Sequence, residues 1–476
     1  MPPIGTASQP LRVAVIGSGP AAFYAAEHLF KQTGLVIDVD MFDRLPTPFG
    51  LVRFGVAPDH VKIKTVTRAY DLIAANPRFR FFGNVDFGTH LVLADLQQHY
   101  HQVLFATGAQ TDRRMGIPGE DLEGSHPATE FVAWYNGHPD YRDHPFDLSV
   151  ERAAVVGVGN VAIDVARILV RTPEELVKTD IAAQALEALR HSRIKEVFLL
   201  GRRGPAQAAF TNPEVKEIGE MADADVIVRP DEVQLDPLSQ AQLEAGQDRL
   251  LMRKVEILQG YALRTPEGKR RRLNLRFLVS PVELVADARG RVTRMRLVRN
   301  TLVASETGTL NATSTGQFEE LEVGLVFRSV GYRGVPLPGV PFHERWGVIL
   351  NDKGRVLDPD AKKPVTGLYA TGWIKRGPSG VIGTNKPDSV ETVRSMLEDL
   401  AQGAHWQPAQ PDGQAAAALV QARQPAFVSY ADWRRLDALE VSNGQASGRP
   451  RLKFTAVDEM LAALGRNVPG ERITPA

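Results

Sequence analysis

The sequence predicts an α/β protein that carries two copies of one strand–turn–helix unit. Three observations predict it. The apolar run Val13-Ala14-Val15-Ile16 stops at Gly17-Ser18-Gly19-Pro20-Ala21-Ala22. Ala153-Ala154-Val155-Val156 stops in the same way at Gly157-Val158-Gly159-Asn160-Val161-Ala162. Each turn is followed by a helical pattern, through Phe23, Ala26, Leu29 and Phe30 in the first copy and Ile163, Ala166, Ile168, Leu169 and Val170 in the second.

Gly-x-Gly-x-x-Ala between a strand and a helix has a physical reading. The first glycine lets the chain reverse. The second removes a side chain where a pyrophosphate approaches. The alanine lets helix and strand pack closely, and the helix N-terminus offers N–H groups to the anion. One copy is weak evidence, and two copies in context are much stronger. The next strand of the first unit, Val36–Phe42, ends at Asp43, an acid suited to a ribose hydroxyl. The corresponding strand of the second, Ile194–Leu200, ends in Gly201-Arg202-Arg203-Gly204-Pro205. Guanidinium groups there suit a 2'-phosphate. The first unit reads as an FAD or NAD site and the second as an NADP site. From Gly157 to Arg202 the chain runs well past the ~20 residues of a compact unit. The excess reads as an inserted helix, Pro173–Leu189, capped by Thr172.

At 476 residues the chain exceeds one core, and two or three domains are expected. Lys plus Arg and Asp plus Glu both number 56, so no global charge drives it to nucleic acid or anionic membrane. No run of 18 apolar residues exists, and Met1–Pro10 lacks the features of a secretory signal. A cytoplasmic, soluble protein without membrane insertion is the expectation; oligomeric state is not indicated. There is no cysteine. That excludes a disulfide framework, a thiolate zinc site, a cysteine-ligated iron–sulfur cluster and a Cys-x-x-Cys relay within this chain.

Between the units, Asp43–His60 holds three prolines and two glycines and reads as a long ordered loop beside a nucleotide site. Val61–Ala75 reads as one helix, and Phe79–Phe82 and Leu91–Leu93 as short strands. His101–Gly108 is an apolar strand ending in Ala106-Thr107-Gly108, and the ending recurs at Ala370-Thr371-Gly372. Leu273–Val279 and Val292–Val298 read as half-buried strands. Leu325–Gly331 reads as a strand leaving the second domain. Asp388 with Glu391 reads as a helix start, and Gln402–Gln414 as a loose connector.

Here the residues resemble a known family, the adrenodoxin-reductase-like ferredoxin–NADP reductases, related in fold to glutathione reductase. The matching stretches are Gly17–Leu29, Pro48–His60, Gly157–Leu169, Gly201–Pro205 and Ala370–Gly383, and the likeness runs over nearly the whole chain. The most specific are Phe49-Gly50-Leu51-Val52-Arg53-Phe54-Gly55-Val56-Ala57-Pro58-Asp59-His60 and Gly372-Trp373-Ile374-Lys375-Arg376-Gly377-Pro378-Ser379-Gly380-Val381-Ile382. The resemblance implies two Rossmann-like dinucleotide-binding domains, with the FAD domain discontinuous. Residues 1–108 and 331–476 form it, the second part with a C-terminal extension, and 109–330 bind NADP. Two departures stand out. Asp43 replaces the Glu common at the ribose position, and the transit peptide of animal mitochondrial members is absent, which points to a bacterial setting.

The resemblance also implies roles. FAD is expected at Gly17, Gly19, Pro20, Ala21, Ala22, Asp43, Arg44, Gly50, Leu51, Val52, Thr107, Gly108, Gly372, Trp373, Gly380, Val381 and Ile382. NADP is expected at Gly157, Gly159, Asn160, Val161, Arg202, Arg203 and Glu214. His60 and Asp164 match positions near the flavin and the nicotinamide and are expected to orient groups or relay a proton. Hydride is expected to pass from NADPH to flavin N5, then single electrons to a ferredoxin-type iron–sulfur protein, or to flavodoxin. An acidic partner would dock on basic residues, for which Lys31, Arg249, Arg253, Lys254 and Lys269–Arg272 are candidates. A quinone-reducing diaphorase, a monooxygenase-type flavoenzyme and a non-catalytic NADPH sensor remain open on the same residues.

Overall fold

Each of the two glycine turns lies at the end of a strand in its own parallel sheet. The structure is a computed structural model that describes residues 3–466. The first two residues, and the last ten of the expected FAD segment, lie outside the described residues. The chain clusters into two units. The first comprises the chain up to Thr111, His138–Asp140 and the chain from Tyr332 onward; the second comprises Asp112–Gly137 and Tyr141–Gly331.

In the first unit, strands Pro364–Ala370, Gln102–Phe105, Leu11–Ile16, Ile37–Phe42 and Phe79–Phe82 lie side by side and parallel. Two short antiparallel strands, Arg355–Leu357 and Asn351–Asp352, continue the Pro364 edge. All six residues of Leu11–Ile16 are buried, which explains an apolar run without alternation: both faces of a parallel sheet are covered. Helix Pro20–Phe30 buries Ala21, Ala22, Phe23, Ala25, Ala26 and Leu29, and it packs beside helix Asn385–Ala401. The late strand Pro364–Ala370 pairs Leu368 with Val103, so distant sequence completes this sheet.

In the second unit, the parallel order is Ser125–Pro127, Leu325–Arg328, Arg152–Val156, Glu196–Leu200, Arg271–Arg276 and Ala224–Val228. Strands Val279–Ala286, Val292–Ala304 and Leu310–Glu322 form a separate antiparallel sheet. Val292–Val298 buries Val292, Met295, Leu297 and Val298 and exposes Thr293, Arg294 and Arg296.

Several local expectations change. Val61–Ala75 is two helices, Val61–Lys64 and Thr67–Ala74. The β-branched run Val61, Ile63, Thr65, Val66 and Thr67 weakens one continuous helix. Leu91 makes only an isolated bridge to Phe87, and Leu93 opens a helix, Leu93–His99. The inserted Pro173–Leu189 element is also two helices, Pro173–Leu176 and Ala183–Arg190. Thr179 ends the first: its hydroxyl donates to Leu176 O and accepts from Ile181 N, a local alternative to helix bonding. Leu325–Arg328 lies between Ser125–Pro127 and Arg152–Val156 in the second sheet, and the chain passes from the second unit to the first at Gly331–Tyr332. No described helix is long and apolar enough to cross a membrane.

Candidate functional site

The first glycine turn is built so that its two glycines do different things. Gly17 has φ +100°, and a Cβ there would stand 2.6 Å from Ala106 O. The fold itself therefore requires glycine. Gly19 has an ordinary φ of −78°, and a Cβ on it would meet no protein atom within 4 Å. Gly19 therefore leaves open space at the helix start, room that a pyrophosphate would need. Pro20 opens the helix and no side chain caps its first turn, so helix N–H groups remain for an anion.

Asp43 braces this turn. Its Oδ2 accepts from Ser18 N at 3.0 Å and Ser18 Oγ at 2.5 Å, and Oδ1 accepts from Leu45 N at 3.0 Å. Burial pushes its carboxyl above the usual range despite these bonds. A carboxylate has about four acceptor positions, so one is left for a ribose hydroxyl. Arg44 is exposed and pairs with Asp140 at 2.5 Å.

The Phe49–His60 loop folds back on the turn. Phe49 N donates to Ser18 O at 3.0 Å, and a Cβ on Gly50 would lie 3.1 Å from Gly19 Cα. Phe49 takes φ +85°, strained for a bulky residue. Ring contacts with Phe23, Tyr70 and Trp433 hold it there. Leu51 is exposed and Val52 buried. His60 is buried, its N–H donates to Ala57 O, and it opens helix Val61–Lys64.

The two Ala-Thr-Gly endings come to neighbouring strands, Gln102–Phe105 and Pro364–Ala370. Thr107 Oγ1 is buried with no hydrogen-bond partner, a cost unless a ligand supplies one. Gly108 has φ +72° and open space where a Cβ would be. Gly372 comes close to the helix start, where its Cβ would lie 2.7 Å from Ala21 Cβ. Asp388 does not cap its helix, which begins three residues earlier with Thr384 as N-cap. Instead its Oδ2 accepts from Gly372 N at 2.6 Å and Thr371 Oγ1 at 3.1 Å. Trp373 Nε1 donates to Ser379 O at 3.1 Å, and Arg376 donates to the same oxygen. These bonds shape the loop that presents Gly380, Val381 and Ile382. Val381 is exposed there.

The second unit repeats the division of labour. Gly157 has φ +133°, and a Cβ there would stand 2.1 Å from Ser329 O. Gly159 faces open space. Asn160 opens the helix, and its Oδ1 accepts from Thr211 N at 2.9 Å. Val161 follows it and Ala162 is fully buried. Arg202 is exposed and Arg203 half-buried, and neither guanidinium has a hydrogen bond or ion pair among the described residues. Burial and the charge of Arg202 push Arg203 below the usual arginine range. An anion between them would relieve both effects.

Asp164 and Glu214 are brought together by a residue that sequence reasoning missed. Arg167 is fully buried and reaches Asp164 at 2.8 Å, Glu214 at 3.2 Å and Glu217 at 3.6 Å. The i,i+3 spacing of Asp164 and Arg167 was the available signal. Ser18 and Asp388 were missed as well, because their partners are not adjacent in sequence.

The basic candidates are largely engaged. Lys31 pairs with Glu27, Arg253 with Glu256 at 2.9 Å, Arg270 with Asp223 at 2.5 Å and Arg272 with Glu196 at 3.1 Å. Lys254 donates to Ala208 O, Lys269 to Met221 O, and Arg271 to Val170 O and Arg171 O. Arg249 is exposed and, alone of these candidates, has a side chain with no partner among the described residues.

Two sheets with parallel cores, each with a strand–glycine turn–helix unit, have the build of a protein with two dinucleotide-binding domains. Residues 11–199 match the family model described as pyridine nucleotide-disulphide oxidoreductase. The chain is 45% identical over 461 residues to the NADPH-ferredoxin reductase FprA of Mycobacterium tuberculosis, covering 95% of this chain and 99% of that one. It is 47% identical to a probable ferredoxin/ferredoxin–NADP reductase of the same organism, over 96% of this chain and 76% of the relative. The solved structure of M. tuberculosis FprA in complex with NADPH aligns with a TM-score of 0.91 at 45% identity, covering 96% and 100% of the two chains. The chain belongs to the ferredoxin–NADP reductase family.

Proposed function

We infer that the protein is an FAD-dependent NADPH–ferredoxin reductase, with FAD in the first unit and NADP in the second. The observation that carries the assignment is the contrast between the two turns: Asp43 bonded to Ser18 in one, an unpartnered Arg202–Arg203 pair in the other. Bound there, FAD would supply the chemistry that turns a hydride from NADPH into single electrons for the acceptor.

The chain's residues supply binding and orientation. In the first unit the N-terminus of helix Pro20–Phe30 holds the pyrophosphate, Gly19 makes room for it and Asp43 accepts from the ribose. Thr107 offers its unpartnered hydroxyl. Backbone N–H groups at Gly380, Val381 and Ile382, with Trp373, would hold the flavin ring and offer donors where charge develops on reduction. In the second unit Gly159, Asn160 and Val161 receive the pyrophosphate, and Arg202 and Arg203 grip the 2'-phosphate. Arg167 fixes Asp164 and Glu214, so we assign these acids a positioning role at the nicotinamide end. His60 orients groups beside the flavin.

The chain has no cysteine, so electrons leave directly to an outside acceptor. We assign that acceptor as a ferredoxin of the iron–sulfur type, with flavodoxin as the alternative. The test is NADPH-driven reduction of cytochrome c with and without ferredoxin or flavodoxin. Strong stimulation by the added carrier supports the reading. Quinone reduction with no carrier effect replaces it with a diaphorase.

A further inference from the structure

We propose that His126, Glu130 and His144 form a zinc(II) site on the second unit. His126 lies in strand Ser125–Pro127 at the edge of the parallel sheet. Glu130 lies four residues on, in the first turn of helix Ala128–Tyr135. His144 comes from the segment beyond, where its backbone N–H donates to Tyr141 O at 3.2 Å.

The three ligand atoms lie within 4.8 Å of one another. His144 Nε2 is 3.4 Å from His126 Nδ1 and 3.3 Å from Glu130 Oε2. Zinc bound tetrahedrally at about 2.0–2.1 Å to nitrogen and oxygen spaces its ligands roughly 3.3–3.4 Å apart. Two edges of this triangle already have that length.

The hydrogen bonding points the same way. An imidazole nitrogen offers either one N–H or one lone pair. His144 Nε2 nonetheless faces both His126 Nδ1 and Glu130 Oε2, each beyond the usual ~2.9 Å of a good bond. One proton cannot serve both, whereas a central cation serves all three atoms.

The surroundings fit a bound ion. Phe146 packs against both imidazoles, with ring centres 4.9 Å from His126 and 4.7 Å from His144. The side chains of His144 and Glu130 are 28% and 25% exposed, which leaves a side open for a water as fourth ligand. The nearby Arg328 is already bonded to Glu120 O and to Ser125 O and Oγ, so it does not occupy the Glu130 carboxylate. Two imidazoles and one carboxylate suit zinc, not calcium or magnesium, which take oxygen sets. The ion would tie the His144 segment to the sheet edge.

The experiment uses the flavin-loaded protein, stripped with a chelator and dialysed against zinc chloride. One zinc per chain is expected, with a raised Tm and no displacement by excess calcium or magnesium. His126→Gln, Glu130→Gln and His144→Gln should each weaken zinc binding by at least about tenfold, since even outer partners of a ligand cost 10–100-fold. His405→Gln should change nothing, and flavin reduction by NADPH should be the same in all four variants. Zinc-edge X-ray absorption on the wild type gives a second readout that needs no variant, and it should show two imidazoles at about 2.0–2.1 Å. Failure to retain zinc, undiminished binding in the His126→Gln/His144→Gln double variant, or absence of imidazole scattering overturns the proposal.

Discussion

Arg53 and Glu440 form a buried two-pronged ion pair, Nη1 to Oε2 at 3.0 Å and Nη2 to Oε1 at 2.5 Å. Arg53 follows the Gly50 turn, and Glu440 lies on helix Tyr430–Ala446. Arg451 Nη1 adds a contact at 2.7 Å, and Phe454 N donates at 3.0 Å. The guanidinium also lies over the rings of Phe54 and Trp433. The loop that backs the first glycine turn is thereby anchored to the C-terminal segment.

Breaking that pair should destabilise the protein strongly, because a buried charge loses its partner. Glu440→Gln should cost about 3–5 kcal/mol in urea unfolding followed by far-UV dichroism. A cost below 1 kcal/mol would show that the pair is not what anchors the loop.

The same carboxylate predicts a pH dependence. Burial raises its pKa, but Arg53 and Arg451 outweigh burial and hold Glu440 below the usual range. A depressed carboxyl contributes stability above the unfolded value of about 4.3, which is lost as pH falls through the folded value. The difference between wild type and Glu440→Gln should be flat from pH 6 to 8 and shrink below about pH 4. A difference that instead grows in acid contradicts the sign.

Gly17 and Gly19 should fail in different ways. Gly17→Ala puts a Cβ against Ala106 O and forces a positive φ on alanine, so it should lower Tm even without flavin. Gly19→Val meets no protein atom at Cβ, so the chain should fold and purify with little FAD. Flavin content read from absorbance separates the two. Full flavin in Gly19→Val would remove the pyrophosphate from that turn.

Arg202 and Arg203 should set nucleotide choice. Each charge-assisted bond to the 2'-phosphate is worth about 1.5–3 kcal/mol. Replacing both with Ala should raise KM for NADPH by orders of magnitude and leave KM for NADH nearly unchanged. Equal effects on both nucleotides would sink the assignment.

Lys254 and Arg253 are neighbours with different expected behaviour. Lys254 donates to Ala208 O and lies 5.9 Å from the Phe210 ring centre, and Lys254→Ala should cost about 1–2 kcal/mol. Arg253 is exposed and among the described residues pairs only with Glu256, so Arg253→Ala should stay within about 0.5 kcal/mol. If Arg253→Ala alone weakens ferredoxin reduction and its salt dependence, that face belongs to the docking surface after all.

The two glycine turns were legible because their physics is local. Positive φ at Gly17 and Gly157, strand burial and a helix starting at Pro20 or Asn160 depend on a few consecutive residues. The acid in one unit and the arginines in the other were legible for the same reason, since both follow directly on a strand end. Where an element's limits depended on side chains bonding back to the backbone, the reading failed. Thr179 cut one expected helix in two, and the β-branched run around Thr65 divided another.

By itself, the sequence determined two strand–turn–helix units of unlike ribose chemistry and, with no cysteine, the absence of an internal thiol relay. Only the tertiary structure decided how the sites are held. Asp388 turned out to brace Gly372, Arg167 to join Asp164 and Glu214, and Arg53 to find Glu440 across 387 residues. It also drew His126, Glu130 and His144 together from a strand, a helix and a loop. The physical reason is that a buried charge or a lone pair must be satisfied by whatever the packed chain brings near it, and no local pattern records which residue that will be.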